Sequence, residues 1–227
     1  LVHAVHTVSY VKALTELTLD ARAVRSIGFP LSAALVEREL RIAQGTVVGC
    51  NHALENGIAF NIAGGTHHAF SDRGEAFCLL NDQAIAAQYL INQKKCHKIL
   101  IVDLDVHQGN GTAEIFQNNA DVITFSMHGQ SNYPFRKETS DYDIALPDKT
   151  DDTTYLLILQ ETLPELLNLH RPDFVFYLAG VDILGTDKLG KLGCTLEGCK
   201  TRDSYVLGLC KSLGIPVQVS MGGGYSP

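Results

Sequence analysis

The chain has 227 residues, 45% hydrophobic and 19% charged, which suffices for one compact α/β domain with a buried core. A formal net charge of −7 argues against direct nucleic-acid binding, which needs clustered Lys and Arg; an acidic surface suits a cationic partner or simple solubility. No apolar run reaches bilayer length, no N-terminal signal is readable, and six cysteines without C-x-x-C spacing read as buried free thiols, so the expectation is a cytoplasmic protein without membrane contact, or a nuclear one in a eukaryote.

The first fifty residues read mostly as helix. Thr7 to Leu19 places Val8, Val11, Leu14 and Leu17 at nearly helical spacing, and Ile27-Gly28-Phe29-Pro30 breaks the pattern. Ser32 then caps a second helix, expected to run to about Ala43. From Ile58 the rhythm changes to short apolar runs: Ile58–Ala63, Lys98–Asp103, Asp121–Met127, Asp173–Ala179 and Ile215–Met221. Continuous apolarity over strand length implies burial on both faces. Helical stretches lie between them at Leu79–Gln93, Asp152–Leu169 and Leu196–Leu213. This alternation predicts a parallel sheet between helical layers, with the functional site at the carboxyl ends of the strands.

Four of those ends carry polar chemistry. Gly64-Gly65-Thr66-His67-His68 pairs two histidines after a tight turn. Asp103-Leu104-Asp105-Val106-His107, followed by Gly109-Asn110-Gly111, aims alternate side chains at one site while Leu104 and Val106 face the other way. Two carboxylates at a buried strand end are costly unless a cation or donors compensate. Ala179-Gly180-Val181-Asp182 adds a third carboxylate, and Gly222-Gly223-Gly224-Tyr225 adds a phenol. One His and two Asp can bind a divalent cation and leave positions open for water and substrate. The paired histidines can manage proton transfer, and the tyrosine can stabilise an oxyanion.

With these motifs in this order, from about Val5 to Tyr225, the sequence resembles the histone deacetylase family of the arginase/deacetylase fold, nearest to class IV and related bacterial members in Arg25–Pro30 and His128–Phe135. The resemblance implies a three-layer α/β sandwich and a single catalytic domain over 1–227, without the family's first strand and C-terminal segment. It implies zinc on Asp105, His107 and Asp182, with Asp103 and Asn110 orienting His67 and His68. His68 is the expected general base, His67 assists, and Tyr225 stabilises the oxyanion. Phe77, Tyr133 and Leu189 are expected to line an acyl-lysine tunnel together with Gly65 and Gly223. Asp103 and Ser126 are candidate ligands for a monovalent cation such as potassium, and His128 is a candidate neighbour of the pocket. The implied substrate is an acylated lysine in a protein, with acetylpolyamines or other small amides as alternatives. The acidic rim residue by which class I members grip a peptide backbone has no counterpart around Gly28-Phe29-Pro30. Two further readings are a silent binding member of the fold and a manganese ureohydrolase; the latter needs extra carboxylates, whereas Ile183 and Leu184 follow Asp182.

Overall fold

The computed structural model describes residues 1–226. Its centre is a six-stranded, wholly parallel sheet made of β1 (Ile58–Asn61), β2 (Ile99–Asp103), β3 (Val122–Gly129), β4 (Tyr142–Leu146), β5 (Phe174–Leu178) and β6 (Val217–Ser220). The spatial order is β1-β6-β5-β2-β3-β4, so β2 and β5 lie side by side at the middle with Asp103 opposite Leu178. Alternation along these strands sends side chains into two cores. Leu100, Val102, Val175 and Tyr177 face one core, shared with α6 (Asp152–His170) and α7 (Leu196–Leu213). Ile99, Ile101, Phe174 and Phe176 face the other, shared with α1 (Val8–Thr15), α3 (Ala33–Asn56) and α4 (Asp82–Asn92). Helices on both sheet faces complete the expected α/β three-layer sandwich. No helix among the described residues is long and apolar enough to cross a membrane, and all six cysteines are buried and unpaired.

Several boundaries differ from expectation. Leu17 takes a left-handed φ of 57°, so α1 ends at Thr15 instead of Leu19. A short helix absent from the expectation, α2 (Ala21–Ile27), follows, with Asp20 accepting from the Arg22 and Ala23 amides at its start. Ser32 caps α3 as expected, but the helix continues past Ala43 to Gly57, where φ turns to 88°. All five expected strands form, each trimmed or shifted by a residue or two. Also additional are α5 (Asn110–Phe116) and the edge strand β4, whose outward side chains alternate with inward ones.

Candidate active site

The chain ends β2 at Asp103 and stays irregular through His107, with Leu104 and Val106 fully buried beneath. Asp105 and His107 therefore face the cavity side, where Asp182 joins them from the segment after β5. One ligand atom from each of Asp105, His107 and Asp182 lies within 4.8 Å of the others. Nδ1 of His107 is 3.0 Å from Asp105 Oδ1 and 3.1 Å from Asp182 Oδ2. The remaining carboxylate oxygens are held from behind: the Gly223 amide donates to Asp105 Oδ2 at 2.7 Å and the Val106 amide to Asp182 Oδ1 at 2.9 Å.

This cluster has a strong negative potential. Burial opposes the charge on His107, yet hydrogen bonds and the charges of Asp105 and Asp182 outweigh it and lift its pKa to about 10. Burial, then the neighbouring Asp105 charge, raises the Asp182 carboxyl. Asp105 is lowered, because the His67 and His107 cations outweigh its burial. Attraction that keeps a proton on His107 would equally hold a divalent cation, and one nitrogen with two carboxylates is a suitable donor set.

The two histidines stand beside this cluster with ring centroids 4.1 Å apart. They differ in what lies behind them. Nδ1 of His67 donates to the Asp103 carboxylate at 2.6 Å, whereas Nδ1 of His68 donates to the Asn110 carboxamide oxygen at 2.6 Å. Burial lowers both imidazoles, but at His67 the charges of Asp103 and Asp105 win and raise it to about 9. At His68 burial and the adjacent His67 charge win, and the ring is held well below its ordinary value. The surroundings thus favour the imidazolium at His67 and a neutral ring at His68, where Nε2 is left free of the Asn110 contact.

A cavity of about 660 Å³ opens over these groups. The other residues expected around it are there: Gly65, Phe77, Tyr133, Leu189, Gly223 and Tyr225 all line it. Tyr133 meets the His68 ring edge-on at 5.0 Å. Phe77 holds a left-handed φ of 69°, and a Cβ on Gly28 would lie 3.0 Å from its ring, so glycine is what lets the ring approach that turn so closely. Gly65, at φ 84°, likewise passes so close that a Cβ would sit 2.6 Å from the Gly222 amide. Burial and then the Asp105 and Asp182 charges push the Tyr225 phenol up to about 12, so it stays a donor. Ser126 lies opposite Asp103 in the β2–β3 register, and its hydroxyl is 3.0 Å from His128 Nδ1. His128, the candidate neighbour of the pocket, is buried within β3 and is not among the residues lining the cavity.

Three buried groups that position the site carried no readable signal. Asp82, at the start of α4, accepts from the Gly65 and Thr66 amides at 2.9 Å, from the Thr66 hydroxyl, and from Thr46 and Ser220. It anchors the turn that presents the histidines. His6 donates from Nδ1 to Phe70 O and accepts the Asn81 amide at Nε2, and the Asn81 side chain reaches Ala69 O and Thr112. Arg202, fully buried on α7, donates to Leu104 O at 3.1 Å, Gly180 O at 2.7 Å and Ala179 O at 3.3 Å. Leu104 immediately precedes Asp105, and Ala179 and Gly180 lie three and two residues before Asp182. The Tyr155 hydroxyl in the same core has no hydrogen-bond partner among the described residues.

The family model described as the histone deacetylase domain matches residues 1–227. The chain belongs to the histone deacetylase family. An uncharacterised protein of Picosynechococcus sp. is 49% identical over 222 residues, covering 98% of this chain and 74% of that protein. Histone deacetylase 2 of Arabidopsis thaliana is 32% identical over 184 residues, 80% of this chain and 48% of that enzyme. Histone deacetylase RPD3 of Saccharomyces cerevisiae is 32% identical over 180 residues, 74% of this chain and 40% of that protein. The chain thus spans less than half the length of these two named histone deacetylases.

Proposed function

We propose that this chain is one zinc-dependent catalytic domain that hydrolyses an acyl amide, with acyl-lysine in proteins as its substrate class. The observation that carries the reading is the unequal backing of His67 and His68 beside the convergent Asp105, His107 and Asp182. A structural pair of histidines has no need for opposite protonation states, whereas hydrolysis of an amide needs a base and an acid in turn.

Asp105, His107 and Asp182 would hold the zinc, and when bound it supplies Lewis acidity to an acyl carbonyl and to water. His68 then takes the proton of the attacking water at Nε2, its Nδ1–H being committed to Asn110. His67, charged against Asp103, favours the negative charge that develops and returns a proton to the departing amine. The Tyr225 hydroxyl donates to the oxyanion, a contact whose loss costs about 3–4 kcal/mol in comparable sites. Phe77 and Tyr133 give the lysine stem apolar walls. Asp103 and Ser126 are the residues we assign to a potassium ion beside the site.

The test is hydrolysis of fluorogenic acyl-lysine peptides by the purified full chain, with metal content measured on the same sample. Activity should disappear on chelation, return with zinc, and be absent in Asp182→Asn and His68→Ala. Turnover indifferent to chelation and to both substitutions would overturn the mechanism. Two manganese ions per chain with turnover of a guanidino substrate would replace it with ureohydrolysis.

A further inference from the structure

The cavity mouth has a charge opposite to that of the chain. Apart from the buried histidine and aspartate cluster, the charged side chains lining the cavity are Arg25 and Lys191, both cations and both exposed. They come from separate walls. Arg25 sits in the last turn of α2, whose Ser26 and Ile27 carbonyls bind the Ala76 and Phe77 amides. Lys191 is fastened to the Tyr133 side, its amide donating to Asn132 Oδ1 and its ammonium to Ser131 O. Arg25 makes no ion pair among the described residues, nor do the exposed Arg136 and Lys188 next to the lining residues Phe135 and Leu189.

The nearby carboxylates offset them only in part, Asp20 at the start of α2 being the one that feels the charge of Arg25. Glu75 is occupied by Arg73 at 3.0 Å and by the Tyr133 hydroxyl at 2.6 Å. Asp187 spends its oxygens on the Leu189, Gly190 and Tyr225 amides. Glu75 is offset by Arg73, and the single charge of Asp187 is outnumbered by those of Arg25, Lys188 and Lys191, so a ligand at the mouth meets net positive charge. Exposed charges add little to affinity but discriminate strongly between partners of opposite sign, because like charges brought to one mouth repel.

We propose that the pocket takes acyl amines set among acidic groups, an acyl-lysine in an acidic peptide, and that Arg25 and Lys191 make that choice. This rests on the acyl-amine reading above. It turns the substrate away from polyamines and basic tails, the partners that the overall net charge of −7 would suggest.

Two fluorescent acyl-lysine peptides that differ only in flanking glutamates or flanking lysines test it. Binding is read by anisotropy and turnover as kcat/KM, both on the full chain. The acidic peptide should win by about fivefold or more at low salt, and the gap should shrink at about 0.5 M salt. Arg25→Glu with Lys191→Glu should reverse the preference, while Lys211→Glu, a charge reversal on the far helix α7, should keep it. Should the double variant melt early, Arg25→Gln with Lys191→Gln should bring the two peptides level. Equal or reversed preference in the wild type, or a preference that survives either double variant, overturns the inference. Acidic-peptide binding without any turnover would sink the hydrolytic reading and leave this one standing; turnover without charge preference does the opposite.

Discussion

The Asn110 carboxamide oxygen lies 2.6 Å from Nδ1 of His68, the place that the Asp103 carboxylate takes beside His67. A neutral acceptor fixes the tautomer without adding charge, so His68 is oriented like its neighbour yet stays unprotonated. Asn110→Asp should raise the His68 pKa, because a carboxylate favours the imidazolium. The free base is then available only at higher pH, and the acid limb of a kcat/KM profile should move upward. Asn110→Ala should lower activity by about tenfold or more without that shift.

Tyr225 lines the cavity wall and is held in its protonated form. Tyr225→Phe removes one hydroxyl and should reduce kcat by about 10²–10³-fold while leaving KM within a few-fold. Steady-state kinetics on an acyl-lysine peptide reads both. An equal loss in binding and turnover would place the hydroxyl in substrate binding instead.

His6 makes stability depend on pH. Burial pushes its pKa down from 6.5 to about 4, and both ring nitrogens are engaged by Phe70 and Asn81. The unfolded chain holds a proton in this interval that the folded chain does not. Stability is therefore full above the unfolded value and falls as pH drops toward 4, by about 3 kcal/mol from this group. His6→Gln should be less stable at neutral pH and should show a shallower decline on acidification. Urea denaturation at a series of pH values measures both slopes, and their difference isolates His6 from the other buried histidines.

Arg202 joins the two strand ends that carry the acidic residues. Arg202→Met leaves the Leu104, Ala179 and Gly180 carbonyls without their donor and should cost about 3–5 kcal/mol in denaturant stability. Arg202→Lys keeps the charge but not the fork, so it should recover only part of that stability. Zinc affinity, read by competition with a chromophoric chelator, should fall in both variants because Asp105 and Asp182 lose their common brace.

Much of the candidate site is legible because its groups cluster within short runs. Asp103, Asp105 and His107 follow one another at every second position, and each other group closes an apolar run. The supports are not legible in this way. His6 meets Asn81 across 75 residues and Arg202 meets Leu104 across 98, with no local pattern linking the partners. Periodicity also ends α3 too early, because Gly45 and Gly49 look like breakers. In the structure they are where the helix presses on the sheet: a Cβ on Gly45 would lie 3.1 Å from Asn61 and one on Gly49 3.5 Å from Gln218. The edge strand β4 is hidden because half of its side chains face outward and charges surround it. The rim of Arg25 and Lys191 is invisible until two distant segments share one cavity.

The place of β6 between β1 and β5 has a consequence for how the molecule comes into being. Val217 pairs with both Ile58 and Val175, so β1 cannot join the sheet before β6 exists. Strands β2 to β5 pair with one another without β6, and Asp105, His107 and Asp182 follow two of them. The turn bearing His67 and His68 must wait, since it follows β1 and leans on Gly222 and Ser220. A nascent chain would thus bring Asp105, His107 and Asp182 together before His67 and His68 join them, and the two groups meet only when β6 takes its place.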